Sequence, residues 1–104
     1  MNRDAGWLEK LAQVKDEMIR AQAELAEQRI TVSAGGDAVK VVIDGQQHLH
    51  QVLLSPQAFE AAQKDVKTLQ DLLVLAVNQA IEESQTLAAE RLRGLTGGIE
   101  LLGS

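Results

Sequence analysis

The stretch that decides the fold is Ala21–Gly45, AQAELAEQRITVSAGGDAVKVVIDG. A charged helical repeat runs out at Arg29, and Ile30-Thr31-Val32-Ser33 then alternates apolar with polar residues, the period of a strand. Gly35-Gly36 with Asp37 supplies a loop, because glycine reaches positive φ without steric cost. Ala38–Ile43 is rich in β-branched residues and predicts a second strand, and Asp44-Gly45 is the sequence of a tight type I′ hairpin. A third strand is expected from about Gln47 to Leu54, with Val52 and Leu54 facing inward.

Upstream, residues 4–29 predict one helix. Trp7, Leu11, Val14, Met18, Ala21 and Leu25 recur in steps of four and three, a heptad seam closed by Gln28, and Asp4 stands at the N-cap position. Mixed charges fill the other faces, so the seam needs a partner. Downstream, Ser55-Pro56 predicts an N-cap and first turn for a short helix over 56–63. Residues 64–94 predict a long helix, with Gly94, Gly97 and Gly98 ending it and 95–104 left as a flexible tail.

Within that second long helix, Leu69–Val77 (LQDLLVLAV) is apolar on nearly every side. Such a helix must be covered on every side. One small sheet covers one face, so the rest calls for a second copy of the chain. The expected dimer interface is Leu69, Leu72, Leu73, Leu75, Ala76, Val77, Asn78 and Ala80. Asn78, polar within this run, is expected to find a hydrogen-bond partner, fixing dimer register or capping a strand end.

With 104 residues, one α+β domain is expected: long N-terminal helix, three-stranded antiparallel sheet, short helical turn and long C-terminal helix. A monomer of this size buries only about 60–70% of its unfolded surface. Aromatic content is 2% and cysteine is absent, which excludes disulfides and thiolate chemistry and argues against a deep ligand pocket. No apolar run approaches the roughly 18 residues that span a bilayer, and the N-terminus lacks the order of a signal peptide, so a cytoplasmic chain without membrane contact is expected.

Candidate chemistry is sparse. His48 and His50 sit two apart as zinc ligands often do, yet no third ligand stands nearby, and two sheet-surface histidines are the better reading. Asp16-Glu17 and Glu82-Glu83 are neighbours on a helix, pointing about 100° apart, so they do not converge as acid and base. Gly35-Gly36 leads into a strand, not the helix a phosphate loop requires. No enzyme, cofactor, metal or small-molecule substrate is expected.

Ala12-Gln13, Met18, Ala21-Gln22 and Glu24-Leu25-Ala26-Glu27 in the first helix, Ala34-Gly35-Gly36, Val39-Lys40-Val41 and Ile43-Asp44-Gly45 in the hairpin, and Leu69, Asp71-Leu72, Ala76, Asn78 and Ala80 in the last helix stand in a specific order. Together they resemble the YbaB/EbfC family of small bacterial nucleoid-associated proteins over about residues 10–98. The resemblance implies a tweezer-like homodimer that binds double-stranded DNA in the nucleoid with little sequence preference.

The formal charge of −5, from 15 acidic and 10 basic residues, opposes duplex binding unless the cations are well placed, since affinity comes from neutralising phosphates. The candidates are Arg91 and Arg93 near the end of the last helix, then Lys10, Lys15, Arg20 and Arg3 on the first helix, and Lys40 on the sheet. The alternative is an acidic dimeric adaptor that clasps another protein without touching DNA.

Overall fold

The computed structural model describes the backbone of residues 2–103 and the side chains of residues 6–95. The element order is α1 (Asn2–Glu27), β1 (Ile30–Ala34), β2 (Val39–Ile43), β3 (Leu49–Leu54), α2 (Pro56–Lys64) and α3 (Val66–Gly103). The fold class is the expected α+β arrangement. The three strands form one antiparallel sheet in the order β1-β2-β3.

The core lies between one sheet face and α3. Val32 and Ala34 of β1 and Val39, Val41 and Ile43 of β2 alternate inward and are buried. Against them α3 lays Leu69, Leu72, Leu73, Ala76, Val77, Ala80 and Ile81, a stripe with the three-four spacing of a helix face. Ala76 and Ala80 are fully buried, so the helix backbone approaches the sheet closely where its side chains are smallest. The opposite sheet face has no helix over it: Thr31, Ser33, Gln51 and Leu53 are exposed.

Val52 and Leu54 pair with Val41 and Val39, which puts them on the inward side as the sequence suggests. Val52 nevertheless remains 45% exposed, because α3 lies over β1 and β2 and leaves the β3 edge bare.

Helix α1 begins at Asn2, which puts Asp4 inside its first turn and not at the N-cap, and two further boundaries and one cap differ from the sequence reading for identifiable reasons. α3 passes through Gly94 and stays helical to Gly103. A glycine costs a helix about 1 kcal/mol but removes no donor, and Leu87–Leu95 (LAAERLRGL) is otherwise made of strong helix formers. β3 begins at Leu49 because residues 44–48 are spent on a wider turn than a two-residue hairpin. In that turn Gln47, not Gly45, takes the left-handed conformation, with φ 64°. Ser55 precedes α2 with extended backbone, as an N-cap does, but its hydroxyl makes no capping bond.

The molecule is a rod. Its extents are 73 × 23 × 15 Å and its radius of gyration is 20.2 Å. A compact domain of this length has a radius of about 13 Å. The excess comes from α1 and the far half of α3, which run antiparallel away from the sheet. Among the described side chains of α1 only Ala21 and Leu25 are buried; Trp7, Leu8, Leu11 and Ile19 stay exposed. No helix of the described residues is long and apolar enough to cross a membrane.

Candidate nucleic-acid interface

Lys10, Lys15 and Arg20 all project from α1 into solvent, and none has a carboxylate in salt-bridge range among the described residues. Each step of five residues advances about 140° around a helix. The three cations therefore point to three sides of the rod, and no single basic stripe forms on it. The side chain of Arg3 lies outside the described residues.

The α3 pair separates. Arg91 reaches across to α1, its Nε and Nη2 donating to Glu24 Oε2 at 3.2 and 3.0 Å. Its charge is thus engaged within the chain. Arg93 is exposed. Lys40 is half-buried on β2, with its Nζ 4.0 Å from Asp37 Oδ1.

Nearby, a cleft of about 450 Å3 is lined by Ile30, Glu82, Glu83, Thr86, Leu87 and Glu90. Three carboxylates around an apolar floor repel a phosphate backbone. Any duplex must meet the arms away from this base.

The residues expected to join two copies also divide. Leu69, Leu72, Leu73, Ala76, Val77 and Ala80 pack on the chain's own sheet. Leu75 remains 57% exposed and Asn78 is exposed, so within one chain Asn78 is not the buried polar group its apolar neighbours suggested. Beside them Val74 is 60% exposed.

What sequence reasoning missed is a polar junction where the β2–β3 turn, α1 and α3 meet. Asp44 is buried, and its Oδ1 accepts the backbone N–H groups of Gln46 at 2.7 Å and His48 at 3.1 Å. His50 Nε2 lies 2.8 Å and His48 Nδ1 3.6 Å from Oδ2. The histidines are therefore not bystanders on the sheet surface. A register shift between Val42 and Ile43 leaves His50 as the extra residue on β3, which aims its ring at the carboxylate. No group of three metal-binding side chains occurs among the described residues.

Burial pushes the Asp44 pKa up, but the His50 ring, the two amides and the charge of His48 outweigh it and hold the carboxyl at about 2. On the other side of the turn, Ser84 of α3 is fully buried and donates to Asp44 O at 2.6 Å. The Gln47 backbone N–H and side-chain amide both donate to Ser84 Oγ, at 3.1 and 3.0 Å. Gly45 N–H donates to Leu25 O at 2.8 Å, and Gln46 Nε2 to Gln22 O at 2.9 Å. The turn thereby reaches the last two turns of α1, sharing the Leu25 carbonyl with the Gln28 N–H and adding a second donor to the Gln22 carbonyl.

A model of the YbaB/EbfC DNA-binding family matches residues 1–99. A nucleoid-associated protein of Syntrophobacter fumaroxidans is 35% identical over 103 residues, covering 99% of this chain and 92% of its own length. One of Moorella thermoacetica is 39% identical over 87 residues, covering 84% and 82%. The fold is similar to the crystal structure of an uncharacterized Helicobacter pylori protein, with a TM-score of 0.64 at 19% identity over 77% of this chain and 90% of that one. Two helical arms rooted in a small sheet, and a match along nearly the whole length, place this chain in the YbaB/EbfC family of nucleoid-associated, DNA-binding proteins.

Proposed function

We propose that the protein binds duplex DNA in the bacterial nucleoid as a homodimer, through phosphate contacts that carry little sequence preference. The observation that carries this reading is the rod itself: α1 extends from the body with Lys10, Lys15 and Arg20 exposed and unpaired by any carboxylate among the described residues. Arg3, Arg93, Arg91 and Lys40 are the further proposed contacts, with Glu24 facing Arg91 and Asp37 facing Lys40. Two copies double each cation and set two arms around one duplex.

The dimer is proposed to form where apolar residues are exposed at the sheet end: Val52 and Leu53 on β3, Phe59 on α2, and Val74 and Leu75 on α3. The test is a salt titration of binding to a short duplex. Log affinity should fall linearly with log salt, by about 0.9 per phosphate neutralised. Lys10→Glu with Lys15→Glu and Arg20→Glu should abolish retention at low salt; retention unchanged by all three overturns the contact assignment.

The acidic cleft favours a second reading, an adaptor for a basic protein segment. Absence of duplex retention at 50 mM salt, or about that, by the unmodified chain would move the balance to it.

A further inference from the structure

We propose that the Asp44–His48 turn is the joint that fixes the direction of α1, with Ser84 and Gly45 as positioning residues for duplex binding. This rests on the reading of α1 as a DNA-gripping arm. The geometry behind it is how little else holds that helix. Of its described residues only Ala21 and Leu25 are buried, both in its last two turns. Before them Val14 and Met18 are half-buried and the rest of the described face is exposed, so that length of helix acts as a lever.

The lever makes small errors large. From Ala21 to the start of α1 at Asn2 is 19 residues, or roughly 28 Å at the helical rise. A tilt of about 10° at the root moves the tip about 5 Å by that length. Phosphates on one strand are spaced about 3.4 Å along the axis. An arm loose by that much no longer presents its cations in register with a partner arm.

Two of the ties seen among the described residues oppose the tilt, and they differ in strength. Arg91–Glu24 is half exposed, and such pairs contribute little. The turn is the stronger tie. Gly45 donates to Leu25 O, and it sits so close that an added Cβ would lie 2.7 Å from that oxygen and 2.8 Å from Leu25 Cδ2. Gly45 does not need positive φ; it is required for approach. Ser84 then fastens the same turn to α3 through one donated and two accepted hydrogen bonds, all at a fully buried oxygen. Helix α1 is thus registered to α3 through five residues of turn.

The chain has no cysteine, so spin labels can be placed without competition. Labels on Gln13→Cys in α1 and Gln63→Cys in α2, both exposed positions, report the arm direction by pulsed electron resonance. Labelled chain is diluted in unlabelled chain so that only the distance within one chain is read. Ser84→Ala is expected to broaden that distance distribution at least twofold and weaken short-duplex binding about tenfold. Val32→Ala, a core change of the sheet remote from the turn, should lower the melting temperature and leave the width unchanged.

An unbroadened distribution in folded Ser84→Ala, or equal broadening by Val32→Ala, overturns the proposal. Where Ser84→Ala does not fold, Gln47→Ala at an exposed position removes one of the same bonds and should broaden the distribution in lesser degree; no broadening there overturns it too. If the unmodified chain fails to bind duplex, the functional reading falls while the distance measurement still decides the joint.

Discussion

Asp44-Gly45 stands out in the sequence as a tight hairpin, and the structure keeps both residues for other reasons. Asp44 is a buried acceptor and Gly45 a point of close approach to Leu25. The Asp44 role depends on the wider turn through His50 and the Gly45 role on Leu25 of another element, so neither was legible from the dipeptide. Ser84 was missed because Glu82 and Glu83 beside it read as surface, although 84 continues the 76, 80 stripe by one more step of four. Gly45→Ala should lower the urea midpoint by the equivalent of about 1–3 kcal/mol, since Leu25 backbone must move to admit the methyl. Asp44→Ala should cost about as much, because it leaves the Gln46 and His48 amides without their acceptor. Asp44 also makes a pH prediction. Its folded pKa lies below its unfolded one, so its stabilisation is complete above pH 4, or about that, and is lost as pH falls through about 2. Urea midpoints between pH 5 and 2 should fall for the natural chain and fall less for Asp44→Asn.

At the scale of elements, α3 carried the most readable signal and divided in the least readable way. Its apolar run was plain in the sequence, as were the three strands and the short α2. Periodicity alone did not say which side the chain's own sheet would take, because LQDLLVLAV is apolar around most of the helix. The sheet takes Leu69, Leu72, Leu73, Ala76, Val77 and Ala80, and leaves Val74 and Leu75. The arms were legible as helices, but the pairing of Arg91 with Glu24 joins residues 67 apart in sequence and leaves no short-range trace. It makes a testable competitor for phosphate. Glu24→Gln should tighten duplex binding and steepen the salt slope by about 0.9, as the freed guanidinium takes one more phosphate. Arg91→Gln should change both by less. An unchanged slope in Glu24→Gln would show that Arg91 is spent on joining the arms.

The whole molecule sets the last constraint, since a rod with a radius of gyration of 20.2 Å hides little of its own apolar surface. Val74 and Leu75 stand 60% and 57% exposed on α3, and the β3 edge adds Val52 and Leu53. This patch is where the proposed contact between two copies would form. A two-fold contact through it is self-complementary, so each changed residue acts twice. Val74→Glu with Leu75→Glu should therefore convert the sedimenting species from two copies to one at micromolar concentration. The helical content should survive, because neither side chain belongs to the core under the sheet. Duplex affinity should drop by much more than the loss of any one cation, since each arm then binds alone and the gain from linking two weak sites disappears. A variant that sediments as a single copy yet holds DNA as tightly as the natural chain would mean that one rod is the binding unit, and that the exposed patch serves some other contact.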